Sequence, residues 1–140
     1  MEKIIVYTDG GSRGNPGPAG AGVAITSDKG DVLSECRAYL GIRTNNEAEY
    51  EAVIMALQKL KAILGKEKIK TAEIEVRMDS ELVARQLNGI YKIENEKLIP
   101  LFVKIWNLRL DFGKISFKHI PREQNKEADR LANEAMDEER

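Results

Sequence analysis

The chain changes its hydrophobic rhythm several times, and each change marks an element. Ile4 to Asp9 is a β-rich run without alternation, the pattern of a strand buried on both faces, and it leads into the turn-forming string Asp9-Gly10-Gly11-Ser12. Ala19 to Thr26 and Val32 to Leu40 flank Ser27-Asp28-Lys29-Gly30-Asp31, whose Asp and Gly content suits a hairpin loop. Three antiparallel neighbouring strands are therefore expected first. The period then shifts to that of a helix. Thr44-Asn45-Asn46-Glu47 has the form of a capping box, and the stripe Ala52, Val53, Ala56, Leu57, Leu60, Ile63, Leu64 follows it. Stepping back along that stripe lands on Glu49, which should point toward the sheet.

Strict alternation returns in Glu73 to Met78, a fourth strand that runs into Asp79-Ser80, either of which can cap a helix from Glu81 to Leu87. Alternation alone would set Asp79 on the polar face, and the sequence leaves that point open. An amphipathic helix from about Ile99 to Leu110 tolerates Pro100 in its first turn. Ile115 to Ile120 reads as the last strand. A final helix carries Ala128, Leu131, Ala132, Ala135 and Met136 on one stripe, with Asp129 at its margin. The order of three strands, helix, strand, helices, strand and helix predicts an α/β layer system with a mixed sheet.

Composition narrows this picture. With 140 residues, 42% of them hydrophobic, the chain suits one domain, and no linker, repeat or low-complexity segment divides it. Lys and Arg total 22 against 23 Asp and Glu, a net charge of -1, so bulk polycation attraction to nucleic acid is excluded and any such contact must be local. The stretch Lys59 to Lys70, five Lys against one Glu, is the candidate basic patch, whereas 127–140 holds six acids against two bases. The single Cys36 permits no intrachain disulfide, which makes the cytoplasm the default compartment. No leader pattern or membrane span is expected.

Four acids stand out by position: Asp9 at the end of the first strand, Glu49 on the inner face of a capped helix, Asp79 at a strand end and Asp129 beside an apolar stripe. Anions brought near an interior cost several kcal/mol each unless a cation or proton compensates them. Oxygen donors favour Mg²⁺ or Mn²⁺ over Zn²⁺. Each acid taken alone also has an ordinary explanation. Asp9 suits a turn, Glu49 the positive end of a helix, Asp79 an N-cap and Asp129 a solvated helix surface. Periodicity does not choose between these readings. Other chemistries find no support: the run Gly10 to Gly22 carries neither nucleotide-binding fingerprint, and no nucleophile elbow or Cys/His metal cluster occurs. His119, inside a predicted strand, is read as structural or solvent-exposed.

Four blocks resemble a type 1 ribonuclease H: Tyr7 to Pro18 (YTDGGSRGNPGP), Thr44 to Glu49 (TNNEAE), Met78-Asp79-Ser80, and Asn125 to Ala132 (NKEADRLA). They follow that family's order and intervals and span essentially the whole chain. The resemblance implies a ribonuclease H-like fold with a five-stranded mixed sheet flanked by helices, a single domain over residues 1–140, and a monomer. It implies that Asp9, Glu49, Asp79 and Asp129 are the metal-binding catalytic carboxylates, holding two Mg²⁺ ions for which Mn²⁺ can substitute. The activity implied is endonucleolytic hydrolysis of the RNA strand of an RNA/DNA hybrid, giving 5′-phosphate and 3′-hydroxyl ends.

Gly10, Gly11, Ser12, Asn15, Thr44, Asn45, Asn46 and Ser80 match positions near the substrate in the family, where contacts to 2′-hydroxyls tell RNA from DNA. Two features depart from many bacterial members. The loop before the last helix is short and has Arg122 where others carry a His, as in archaeal-type members, so Arg122 is the candidate to act there through charge. The segment Asn88 to Lys97 is too short for the basic protrusion that some members use to grip the hybrid, which leaves Lys59 to Lys70 or scattered bases for that task. Rival expectations are the same fold cutting double-stranded RNA or DNA junctions, and a non-catalytic nucleic-acid-binding module.

Overall fold

Each β-rich run finds a partner, and the five strands make one sheet. In the computed structural model, which describes residues 2–138, these are β1 (Lys3–Ser12), β2 (Gly17–Ser27), β3 (Val32–Arg43), β4 (Glu73–Met78) and β5 (Lys114–His119), in the spatial order β3-β2-β1-β4-β5. The first three pair antiparallel, and β1–β4 and β4–β5 pair parallel, so the mixed sheet expected from the sequence is present. The helices are α1 (Asn45–Thr71), α2 (Glu81–Leu87), α3 (Ile99–Arg109) and α4 (Lys126–Asp137). The last two residues of the acidic run 127–140 lie outside the described residues.

Two expectations change. The string Asp9-Gly10-Gly11-Ser12 is strand rather than turn, because its backbone stays in register with Gly22, Ala21, Gly20 and Ala19 of β2. Asp9 therefore sits on a braced backbone. Ile63 drops out of the α1 stripe, being 40% exposed, while Leu64 stays packed against the core; Gly65 then adopts φ +81, a conformation that interrupts the helix, and full burial resumes at Ile69.

The sheet separates two unlike layers. One face meets α1 through Ile4, Val6, Val23, Ile25, Ile74 and Val76, which pack with Val53, Leu57 and Leu60. The other face meets α4 at glycines. A Cβ added to Gly22 would lie 2.3 Å from the Ala128 carbonyl oxygen, and one added to Gly20 would lie 2.6 Å from that of Ala132. Only glycine lets the α4 backbone rest so close to β2. Among the described residues, no helix is long and apolar enough to cross a membrane.

Candidate active site

The carboxylates come from all three layers and meet at one end of the sheet. Asp9 pairs with Gly22 in the β1–β2 register, on the α4 side. Asp79 follows β4 directly, outside the strand, so the alternation that would have sent it to the polar face no longer governs it. Glu49 lies in the early turns of α1, whose start is fixed by the predicted capping box: Glu47 N–H donates to Thr44 Oγ1 at 3.1 Å, and Thr44 N–H donates to the Glu47 carboxylate at 2.8 Å. Asp129 stands in the first turn of α4.

One carboxylate oxygen from each of Asp9, Glu49 and Asp79 lies within 4.8 Å of the others. Asp129 is outside that tight trio but lines the same cleft, a depression of about 440 Å³. Glu49 is buried. Its Oε1 accepts a 3.1 Å hydrogen bond from the Gly10 N–H, while its Oε2 is enclosed with no hydrogen-bond partner. A substituent on Gly10 would collide with the Ala48 carbonyl at 2.2 Å, so glycine is what lets α1 bring Glu49 onto β1.

Burial, with the nearby charges of Asp79 and Asp129 adding to it, pushes the Asp9 carboxyl up to about 7 from an ordinary 3.8. Burial and the adjacent Asp9 likewise raise Glu49 well above the usual carboxylate range. Anions crowded this way need either protons or cations, and hard oxygen donors with one oxygen unpartnered fit a divalent ion such as Mg²⁺ or Mn²⁺.

The structure sorts the other expected residues. Gly10, Gly11, Ser12, Asn45, Asn46, Ser80 and Arg122 all line the cleft. Asn15 and Thr44 do not, because their side chains are engaged in holding the α1 N-terminus: Asn15 Oδ1 accepts from the Asn45 N–H at 3.0 Å, and Thr44 is the cap. Asn45 Oδ1 accepts from the Ser12 N–H at 2.9 Å, which leaves its amide N–H groups for an incoming ligand. Ser80 is the N-cap of α2, with its Oγ accepting from Val83 N–H at 3.2 Å. The Gly10 N–H already serves Glu49 and the Ser12 N–H serves Asn45, so the open surface is at Gly11, where nothing lies closer than 3.8 Å to an added Cβ.

The Lys59 to Lys70 patch is far from this cleft. It occupies the C-terminal part of α1, starting roughly 15 Å beyond Glu49 at 1.5 Å per residue, and Lys61 and Lys68 are paired there with Asp111 and Glu2. The helix axis carries the lysines away from the carboxylates, so they lie apart from the groups that line the cleft.

A family model described as reverse transcriptase-like matches residues 7–135. LC11-RNase H1, isolated from compost, has a solved structure with 53% identity that superposes with TM-score 0.92 and covers 98% of this chain and 97% of that one. The chain belongs to the type 1 ribonuclease H family. RNase H1 of the halophilic archaeon Halobacterium salinarum shows the same likeness at 39% identity and TM-score 0.90, over 98% of this chain and 99% of that one. The bifunctional protein Rv2228c of Mycobacterium tuberculosis is 43% identical over 136 residues, or 96% of this chain; the chain spans 36% of that protein's length. The compost enzyme has also been solved in complex with an RNA/DNA hybrid.

Sequence reasoning passed over Gly20, Gly22 and Asn125, which set where α4 begins and how closely it sits. The Gly-x-Gly spacing at 20 and 22, on a strand that faces a helix stripe of alanines, was the available signal.

Proposed function

We propose that this chain, acting as one domain over residues 1–140, hydrolyses the RNA strand of RNA/DNA hybrids and leaves 5′-phosphate and 3′-hydroxyl ends. The single observation that carries the reading is the cluster of Asp9, Glu49 and Asp79 within 4.8 Å, in which Glu49 keeps one buried oxygen without a hydrogen-bond partner. Family membership and the hybrid complex of the compost relative support the choice of substrate.

Asp9, Glu49, Asp79 and Asp129 would hold two Mg²⁺ ions, which when bound stabilise the attacking and departing oxygens of an in-line displacement. The remaining roles belong to the chain itself. The Gly10 N–H fixes the Glu49 carboxylate, the Ser12 N–H fixes Asn45, and Gly11 leaves an open surface where a 2′-hydroxyl can be recognised. Asn45 and Asn46 offer neutral donors to phosphate or base edges. Arg122, exposed at the cleft rim, contributes positive charge near the scissile phosphate and cannot act as a base. The one free thiol, Cys36, suits a reducing compartment such as the cytoplasm, and the domain would work as a monomer.

The test is a hybrid labelled separately on each strand, incubated with Mg²⁺, Mn²⁺ or chelator. RNA cleavage only in the presence of a divalent ion, and about 10³-fold slower for Asp79→Asn, is expected. Cleavage that persists in chelator, or that survives Asp79→Asn unchanged, contradicts the metal mechanism. Equal or faster cutting of double-stranded RNA or of a DNA junction would reassign the substrate, and no cutting of any duplex would leave a binding module.

A further inference from the structure

The pairing of β1 with β4 ends at Thr8 and Met78, one residue before Asp9 and Asp79. Beyond that point the strands no longer bond to each other, and something else must hold the gap that the two carboxylates share. The segment 120–125 fills this place. The Ile120 N–H donates to the Met78 carbonyl at 2.8 Å, and the Asn125 Nδ2 donates to the Thr8 carbonyl at 2.9 Å. Asn125 is fully buried. Its own carbonyl accepts the Asp129 N–H at 3.1 Å, opening α4, and its N–H closes the turn that carries Arg122 by donating to that residue's carbonyl at 2.9 Å. One residue is thus bonded to the neighbour of Asp9, to Asp129 itself and to Arg122.

Its Oδ1 is enclosed without a partner. An apolar side chain of that size would remove the unmet Oδ1 but would leave the Thr8 carbonyl without its donor, so the amide holds β1 at the cost of one unmet acceptor. What the amide does supply is a directional bond at the mouth of the strand gap.

We propose that Asn125 is a positioning residue: through Thr8 and Asp129 it sets the distance between the β1 carboxylate and the α4 carboxylate, and so the metal affinity and turnover of the site. The inference rests on the metal-dependent nuclease reading and is tested apart from it. Partners that orient ligands of a metal change affinity or activity by about 10–100-fold when removed.

Asn125→Ala and Asn125→Leu, which keeps the branching of the side chain without its polar atoms, are compared with Leu60→Ala, a core truncation on the other face of the sheet, each assayed well below its own Tm. The Asn125 variants are expected to lower kcat by about 10–100-fold with KM little changed, and to shrink the rise in Tm that Mg²⁺ produces. Leu60→Ala should lower Tm while keeping both kcat and the Mg²⁺ response. Asn125 variants that behave like Leu60→Ala overturn the proposal.

A nitrogen-15 NMR titration of the wild-type protein with Mg²⁺ decides the matter even where a variant does not fold. The Asn125 side-chain amide should exchange slowly and shift in step with ion binding; a resonance that does not move refutes its role. Wild-type protein that cuts no hybrid while Mg²⁺ still raises its Tm defeats the nuclease reading and leaves this one standing.

Discussion

The two faces of the sheet are packed in opposite ways. Toward α1 the contacts are large aliphatic side chains, Ile4, Val6, Ile25 and Ile74 against Leu57 and Leu60, all fully buried. Toward α4 the strand side is glycine and the helix side is alanine with Leu131 and Met136, and the helix is further held by ion pairs from Arg37 to Glu134 at 2.7 Å, from Arg13 to Asp137 at 2.6 Å and from Arg130 to Glu35 at 3.5 Å. The first face removes apolar area from water and so stabilises the fold. The second buries mostly smaller side chains, and its close backbone contact fixes a distance; the helix so fixed carries Asp129. One face supplies stability and the other supplies geometry.

That contrast can be broken from either side. Leu60→Ala on the α1 face should cost about 2–5 kcal/mol in chemical denaturation, with kcat below the transition unchanged. A large loss of kcat would show that the α1 layer also sets the site. Gly22→Ala on the α4 face should do the reverse. Its methyl would press on the Ala128 carbonyl, and a shift of α4 by about 1 Å is expected to lower kcat about 10²-fold, out of proportion to the loss of stability. Full activity in that variant would mean that α4 has slack.

The acid cluster adds a pH test. Asp9 is raised to about 7 by burial and its acidic neighbours, and Glu49 is raised as well. The folded, ion-free protein therefore holds protons that the unfolded chain releases, so this contribution to stability falls as pH rises from about 4 to about 7. A bound divalent ion requires the deprotonated form. The Mg²⁺-induced rise in Tm should grow as pH rises through 7, and a rise independent of pH would contradict the assignment. The smallest effect belongs to Arg37→Ala: its pairs with Glu134 and Glu138 are solvent-exposed, so Tm should move by no more than about 2 °C, with kcat retained.

Much of this was legible in one sequence because the signals are local. The Thr44 capping box, the alternation of Glu73 to Met78 and the inward direction of Glu49 all follow from residues a few positions apart, and each is present in the structure. What the chain hid depends on contacts between distant segments. Asp9-Gly10-Gly11-Ser12 has the composition of a turn, yet partners in β2 keep it extended. Gly20 and Gly22 look like flexible strand positions until α4 is seen resting on them. Asn125 stands out only by resemblance, as the first residue of the last block, and its side chain reaches Thr8, 117 residues away, a contact no local pattern signals. The lysines of 59–70 form a patch by composition, and the axis of α1 carries them away from the cleft.

The central claim is that acids from three layers form one divalent-cation site, and the most direct measurement is the anomalous difference map of a crystal soaked in Mn²⁺. Peaks bounded by Asp9, Glu49, Asp79 and Asp129, absent in Asp79→Asn, are the predicted result. Strong peaks elsewhere with none in this cleft, or a cleft that stays empty of metal at saturating Mn²⁺ and a pH above 7, would contradict it.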